Sequence, residues 1–233
     1  MPLLELNGVD THYGDFQALY GITFDIEEGE TFAVIGANGA GKSTLLKTIA
    51  GLIRPSAGTV VFDGNDVAGL PAQKRVGLGI SLVPEGRRVF PSLTVHENLL
   101  IGAYSGRRGD WDADRVYELL PLLKRLSRKQ AASLSGGEQQ ALAIGRALMS
   151  NPRLLVVDEL SLGLAPIIIQ DLYEAVRTLP SAGTTVLVVE QDIAQVMSVA
   201  DRLVCFLEVR VSLAGRPPEL TRDQITEAYF GVC

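Results

Sequence analysis

Thr31-Phe32-Ala33-Val34-Ile35-Gly36-Ala37-Asn38-Gly39-Ala40-Gly41-Lys42-Ser43-Thr44 joins a short apolar run, a glycine-rich loop and the start of a helix. The run does not alternate with polar residues, so it reads as a strand buried on both faces, as in a parallel sheet. Residues 36–43 match the pattern G-x-x-x-x-G-K-[ST] in full. Its glycines let the backbone turn N–H groups inward around phosphates, and a helix expected over residues 42–50 adds its positive dipole end. Lys42 supplies a point charge between the β- and γ-phosphates, and the Ser43 hydroxyl suits Mg²⁺. Nucleoside triphosphate binding by Gly36, Ala37, Asn38, Gly39, Ala40, Gly41, Lys42, Ser43 and Thr44 is therefore the first expectation.

Leu154-Leu155-Val156-Val157-Asp158-Glu159 is an apolar strand that ends in two carboxylates. In phosphate-loop ATPases the first acid holds a Mg²⁺-bound water and the second positions or deprotonates the attacking water. Asp158 and Glu159 fit those roles in that order. Between the two motifs lies Leu134-Ser135-Gly136-Gly137-Glu138, followed by an apolar helix. Ser135 is a good N-cap and Glu138 stands in capping-box position, so an ordinary capped helix accounts for both. Two glycines at a helix start also clear room for an approaching phosphate and leave N–H donors free.

Working outward, Leu4-Glu5-Leu6-Asn7-Gly8-Val9 and Ile22-Thr23-Phe24-Asp25-Ile26 alternate apolar and polar residues, which predicts an N-terminal antiparallel β lobe. Turns are expected at Tyr13-Gly14-Asp15 and Glu27-Glu28-Gly29-Glu30. Further strand-like runs occupy 59–62, 80–83, 154–157 and 185–189. Residues 94–150 read as mostly helical, with Pro121 breaking one apolar pattern, and a hairpin and a short helix near 221–230 end the chain. The expectation is an α/β fold: a phosphate-loop NTPase (RecA-like) core with a mostly parallel sheet. It forms one domain over 1–233, with core and β lobe at about 1–93 and 151–233 and a helical lobe inserted at about 94–150.

Hydrophobic residues make up 47% of the 233, ample for a two-sided core. No apolar run approaches the roughly 18–20 residues of a membrane span, and the first residues lack a signal peptide's basic end and long apolar stretch. A cytoplasmic chain is expected. Net charge −6 argues against bulk attraction to nucleic acid or anionic lipid. Of two local basic pairs, Arg107-Arg108 reads as solvated surface, while Arg87-Arg88 is open to a partner role. Cys205 and Cys233 lack metal-ligand spacing, and His12 and His96 stand alone.

The order of phosphate loop, Leu-Ser-Gly-Gly turn and Val-Val-Asp-Glu strand resembles the ATP-binding cassette (ABC) family over essentially the whole chain. The resemblance implies ATP and Mg²⁺ as cofactors and a head-to-tail pair of cassettes. Each ATP would lie between one phosphate loop and the partner's Ser135, Gly136, Gly137 and Glu138. It assigns Tyr13 to stacking on adenine, which needs only an aromatic face. Val83-Pro84-Glu85-Gly86-Arg87-Arg88-Val89-Phe90, Ser161-Leu162-Gly163-Leu164-Ala165-Pro166, Asn38-Gly39-Ala40 and Ala147-Leu148-Met149-Ser150-Asn151-Pro152-Arg153 resemble ATPase subunits of branched-chain amino-acid importers (LivF-like). Urea and amide importers use closely similar subunits. Implied partners are membrane permease subunits, a second ATPase subunit (identical or related) and, indirectly, a solute-binding protein, with the chain peripheral on the inner face of the cell membrane. The implied permease surface is residues 85–90 and the helical lobe through about Tyr104. Pro166-Ile167-Ile168-Ile169 reads as a buried helix start rather than partner surface.

Four positions depart from the common family pattern. Glu85 stands where most cassettes have Gln, offering Mg²⁺ a charged oxygen that also repels the γ-phosphate. Gln191 stands where many have His; it hydrogen-bonds but cannot become a cation near neutral pH. Hydrolysis is expected to survive weakly in Gln191→Ala and to be lost in Glu159→Gln. Leu160 replaces a usual Pro, which should leave the following loop freer. Glu208-Val209 replaces a Gly-containing turn, and a local rearrangement is expected because Val is poor at positive φ.

A cassette acting on nucleic acid would carry long coiled-coil insertions or two cassettes, and this chain has neither, so no nucleic-acid partner is expected. A non-hydrolysing scaffold is disfavoured by intact Lys42, Asp158 and Glu159.

Overall fold

The alternating N-terminal residues pair as expected in a computed structural model that describes residues 1–231. Cys233 lies outside the described residues. Strands β1 (Leu4–Tyr13) and β2 (Phe16–Ile26) form an antiparallel hairpin that sets Tyr13 opposite Phe16. After β3 (Thr31–Gly36) and α1 (Lys42–Ile49), β4 (Ala57–Phe62) returns to pair with β1, and β5 (Asn65–Asp66) completes a four-stranded sheet in the order β2-β1-β4-β5. Helix α2 (Ala72–Leu78) then leads into β6 (Ile80–Val83).

The helical segment contains α3 (Val95–Gly102), α4 (Ala113–Leu119), α5 (Pro121–Arg125) and α6 (Gly136–Leu148). Pro121 takes the first turn of α5, where its missing N–H costs nothing, so the expected break is a change of helix. The chain returns through β7 (Leu154–Asp158), α7 (Pro166–Thr178), β8 (Thr185–Glu190), α8 (Ile193–Val199), β9 (Arg202–Leu207), β10 (Arg210–Gly215) and α9 (Arg222–Phe230). The second sheet runs β10-β9-β3-β8-β7-β6; all its pairs are parallel except β9 with β10.

Burial on both faces explains the nearly unbroken apolar strands. Phe32, Val34, Val156 and Leu187 face α1 and the β lobe, while Ala33, Ile35, Val157 and Val188 face α7 and the helical segment. Each such side chain other than Ala33 contributes about 1.5–3 kcal/mol. Val95, Leu99, Leu123 and Ile144 belong to that second cluster, so the helical segment packs continuously onto the sheet. Among the described residues, no helix is long and apolar enough to cross a membrane.

Four expectations are corrected. The turn between β9 and β10 does not itself rearrange, the irregularity falling instead within β10 as a register shift between Val211 and Leu213: Glu208 and Val209 sit at φ 46° and 60° in a two-residue turn, and the Val209 carbonyl accepts from Tyr20 N–H at 3.2 Å. The turn geometry overrides the preference of Val, at a cost of about 1–3 kcal/mol. Leu160 does not free the start of its loop: it is fully buried, and Ser161 is hydrogen-bonded to Glu190, with Leu162, Gly163 and Ala165 exposed beyond. Pro166 does begin a helix, but Ile167 is 64% exposed, while Ile168 and Ile169 pack half-buried against the core. Arg107 is no loose surface charge, since its Nε donates to the Asn151 carbonyl at 2.8 Å.

Candidate functional site

The phosphate loop is shaped by close backbone approach. A Cβ on Gly36 would lie 2.6 Å from the Phe206 carbonyl oxygen, and Gly41, at φ 96°, starts α1 with Ala18 O only 3.0 Å from where a Cβ would sit. Any side chain at either position would push the loop off β9 or β2. Lys42 is 5% exposed and folds back over the loop, its Nζ donating to Gly36 O at 2.6 Å and Ala37 O at 3.0 Å. Burial pulls its pKa down against Glu159, Asp158 and Glu190. A phosphate would give this ammonium a stronger partner than two carbonyls.

A cleft of about 490 Å³ opens over the loop. It is lined by Asn38, Gly39, Gly41, Lys42, Ser43 and Thr44 from the loop and α1, by Tyr13, Phe16, Ala18 and Val209 on one side, and by Glu85, Glu159, Leu162 and Gln191 on the other. Gly36, Ala37 and Ala40 form the turn behind this lining. Tyr13 is 46% exposed, with its hydroxyl 3.5 Å from Thr44 Oγ1. Phe16, Ala18, Leu162 and Val209 were not read from the sequence. Phe16 had a legible signal, two aromatic residues flanking a two-residue hairpin turn; Val209 had none, being remote in sequence.

The two carboxylates after β7 differ in setting. Asp158 is 5% exposed and lies 3.4 Å from Ser43 Oγ, which donates to its Oδ1. Burial pushes its carboxyl up to about 6, helped by Glu159 and Glu85 and opposed by the Ser43 hydrogen bond and by Lys47. Glu159 adopts a left-handed φ of 51°, and its Oε1 accepts from Gln191 Nε2 at 2.5 Å. Among the described residues, no three His, Cys, Asp or Glu side chains cluster as a metal cage. Ser43, Asp158 and Glu85 offer few oxygen donors around a carboxylate in need of countercharge. That donor set fits Mg²⁺, which keeps waters and completes its octahedron with substrate phosphates.

The Ser135 turn is built separately. Ser135 caps α6 by accepting from Glu138 N–H at 3.4 Å, and Glu138 Oε2 accepts from Ser135 N–H at 2.6 Å. Its glycines also have packing reasons: a Cβ on Gly137 would meet Ile168 Cγ2 at 2.5 Å, and one on Gly136 would meet the Arg87 guanidinium at 2.8 Å. None of Ser135, Gly136, Gly137 and Glu138 lines the cleft above the phosphate loop. Arg146, from α6, stacks 5.2 Å over the Phe90 ring and donates to the Arg87 carbonyl at 3.5 Å. Arg87 and Arg88 both sit at positive φ, 65° and 48°.

Comparison with known proteins follows the same lines. The family model described as "ABC transporter" matches residues 19–161. A high-affinity branched-chain amino acid transport ATP-binding protein, BraG of Pseudomonas aeruginosa, is 44% identical over 232 residues, covering 98% of this chain and all of the relative. A crystal structure of a nucleotide-free ATP-binding cassette from an ABC transporter superposes with a TM-score of 0.85 at 28% identity, covering 98% of this chain and 95% of that one. A dimeric post-hydrolysis cassette bound to ADP and Pi superposes with a TM-score of 0.81 at 26% identity, covering 92% and 98%.

Proposed function

Because the chain belongs to the ABC transporter family, we propose that it is the ATP-hydrolysing subunit of a membrane importer whose cargo is branched-chain amino acids. The observation that carries the pairing is the separation of its two nucleotide-facing parts. The cleft over the phosphate loop contains Lys42, Glu85, Glu159 and Gln191 but not the Ser135 turn. That turn is capped, glycine-cleared and left to face a neighbour's nucleotide, in keeping with the dimeric relative.

In this reading Tyr13 stacks on adenine, with Phe16 across the hairpin, and residues 36–44 wrap the phosphates. Lys42 turns from its loop carbonyls to the β- and γ-phosphates. Ser43, Asp158 and Glu85 hold Mg²⁺, which when bound neutralises charge on the phosphate oxygens. Glu159 accepts a proton from the attacking water, and Gln191 orients its carboxylate. Closure of two cassettes excludes water and strengthens each of these interactions. Closing and reopening move the permease through residues 85–90 and the helical segment, where Phe90, Leu100 and Tyr104 are exposed. The chain is then peripheral on the inner face of the membrane, held there by permease subunits. The 44% identity to BraG, over 98% of this chain and all of that relative, supports branched-chain amino acids as cargo.

The test is reconstitution with the cognate permeases and solute-binding protein in vesicles, measuring ATP hydrolysis and uptake together. Permease should raise hydrolysis about tenfold, with uptake of leucine, isoleucine and valine. Uptake of urea in their place would overturn the cargo. Stimulation by nucleic acid instead of permease would overturn the importer.

A further inference from the structure

Strand β8 ends in a carboxylate that none of these roles employs. Glu190 is 2% exposed, and burial pushes its carboxyl above the usual carboxylate range, against the pull of Tyr173, Ser161 and the Gln191 N–H. A carboxylate so placed is costly unless its oxygens are hydrogen-bonded. Its Oε1 accepts from Ser161 N–H at 3.0 Å, and its Oε2 accepts from the Ser161 hydroxyl at 3.0 Å and from Gln191 N–H at 3.3 Å. Across the same gap, Glu159 N–H donates to Val189 O at 3.0 Å and the Gln191 amide donates to Glu159 Oε1 at 2.5 Å.

Two short segments, 159–161 and 189–191, are thus laced together with Glu159 between the bonds. Glu159 is at φ 51°, a conformation that persists only where its surroundings over-determine it. On its N-terminal side, β7 is held by pairing with β8. On its C-terminal side the chain is held by buried Leu160 and by the two bonds from Ser161 to Glu190. Beyond those two bonds, the backbone just past the proposed base has only the turn bond from Leu164 N–H to Ser161 O, at 3.2 Å, which stays within the loop itself.

We propose that Glu190 is a positioning residue for hydrolysis. Through Ser161 it fixes the backbone that carries Glu159, and through its covalent neighbour Gln191 it sets both groups that meet the attacking water in one frame. It is buried behind the cleft and is not part of the cleft's lining. A displacement of about 1 Å at such a group costs on the order of a hundredfold in rate while leaving substrate binding intact. The inference rests on Glu159 acting as the base.

The full-length protein carrying Glu190→Ala, Glu190→Gln, Ser161→Ala or Glu159→Gln is assayed for kcat, for KM for ATP, for equilibrium nucleotide binding and for thermal unfolding. Glu190→Ala should lower kcat about tenfold to a hundredfold, with KM and nucleotide binding within about twofold of the parent. Glu190→Gln should return kcat to within about threefold, because its amide oxygen still accepts from Ser161 N–H and its NH₂ can donate to the hydroxyl, with only the longer bond from Gln191 N–H lost. Ser161→Ala, which removes one of the two bonds, should fall between them. If Glu190→Ala does not fold, Ser161→Ala against the parent decides. A kcat within about twofold in Ser161→Ala and in any folded Glu190→Ala, beside an inactive Glu159→Gln, overturns the positioning role alone. A fully active Glu159→Gln overturns the reading of the base beneath it.

Discussion

The phosphate loop and the Ser135 turn, the two regions proposed to face nucleotide, are made in opposite ways. The phosphate loop is finished by its own chain: β9 and β2 press on Gly36 and Gly41, Lys42 has carbonyl partners, and Tyr13, Glu85 and Gln191 border one cleft. The Ser135 turn has its capping box complete and its glycines packed, yet it borders no part of that cleft. The first region is organised to receive a ligand. The second is organised as a surface, and its shape is set before anything meets it. In the proposed reading, affinity for nucleotide resides in one protomer while turnover needs two.

The largest effects should separate these regions outright. Lys42→Ala removes the ammonium from the cleft, and nucleotide binding and hydrolysis should both fall by about a thousandfold. Ser135→Arg should leave binding by the separate protomer within about twofold while lowering hydrolysis about a hundredfold, with about 1 kcal/mol of stability lost through the cap. Where two copies pair, mixing the variants rebuilds one complete site, and activity should return to a sizeable fraction of the parent. Equal loss of binding in both variants would erase the contrast.

A middle-sized effect sharpens it through pH. Burial raises the Asp158 carboxyl to about 6, so its charged form is disfavoured in the folded, nucleotide-free protomer. An acid whose folded pKa exceeds its unfolded value destabilises above the folded pKa, and the penalty vanishes below the unfolded value near 4. Asp158→Asn should therefore raise the melting temperature without nucleotide at pH 8, and the gain should fade as pH falls through 6 toward 4. In the parent, Mg²⁺-dependent nucleotide binding should weaken below about pH 6 as the carboxylate protonates. A gain from Asp158→Asn that persists at pH 4 would contradict this.

The smallest effect concerns strain stored beside the cleft. Val209→Gly relieves a β-branched residue at φ 60°, and after Gly's own entropic cost the net gain should be about 1 kcal/mol in denaturant unfolding. The same substitution opens the adenine side, so KM for ATP should rise by about twofold or threefold.

Contiguous segments explain what could be read in advance. The phosphate loop, the apolar strands and the Ser135 capping box each announce themselves within about ten residues, because periodicity and backbone chemistry are local. The places of Val209, Leu162 and Glu190 in or beside the site were not legible because they depend on which strands lie side by side. Glu190 resembled an ordinary polar residue ending a strand; only the β7–β8 pairing brings Ser161 onto its oxygens. The wrong expectation for Leu160 has the same source, since burial and a neighbour's carboxylate supply the restraint that a Pro would have supplied through φ.

The contact of Arg146 with residues 87–90 has a mechanical consequence. Stacking on Phe90 and a hydrogen bond to the Arg87 carbonyl are short-ranged, and both vanish over little more than an ångström of slip. They act as a latch rather than a spring. In the proposed importer, a tug on Phe90 that these contacts withstand would pass to the C-terminal end of α6, and a stronger one would unhook the loop and leave the helix packed against the sheet.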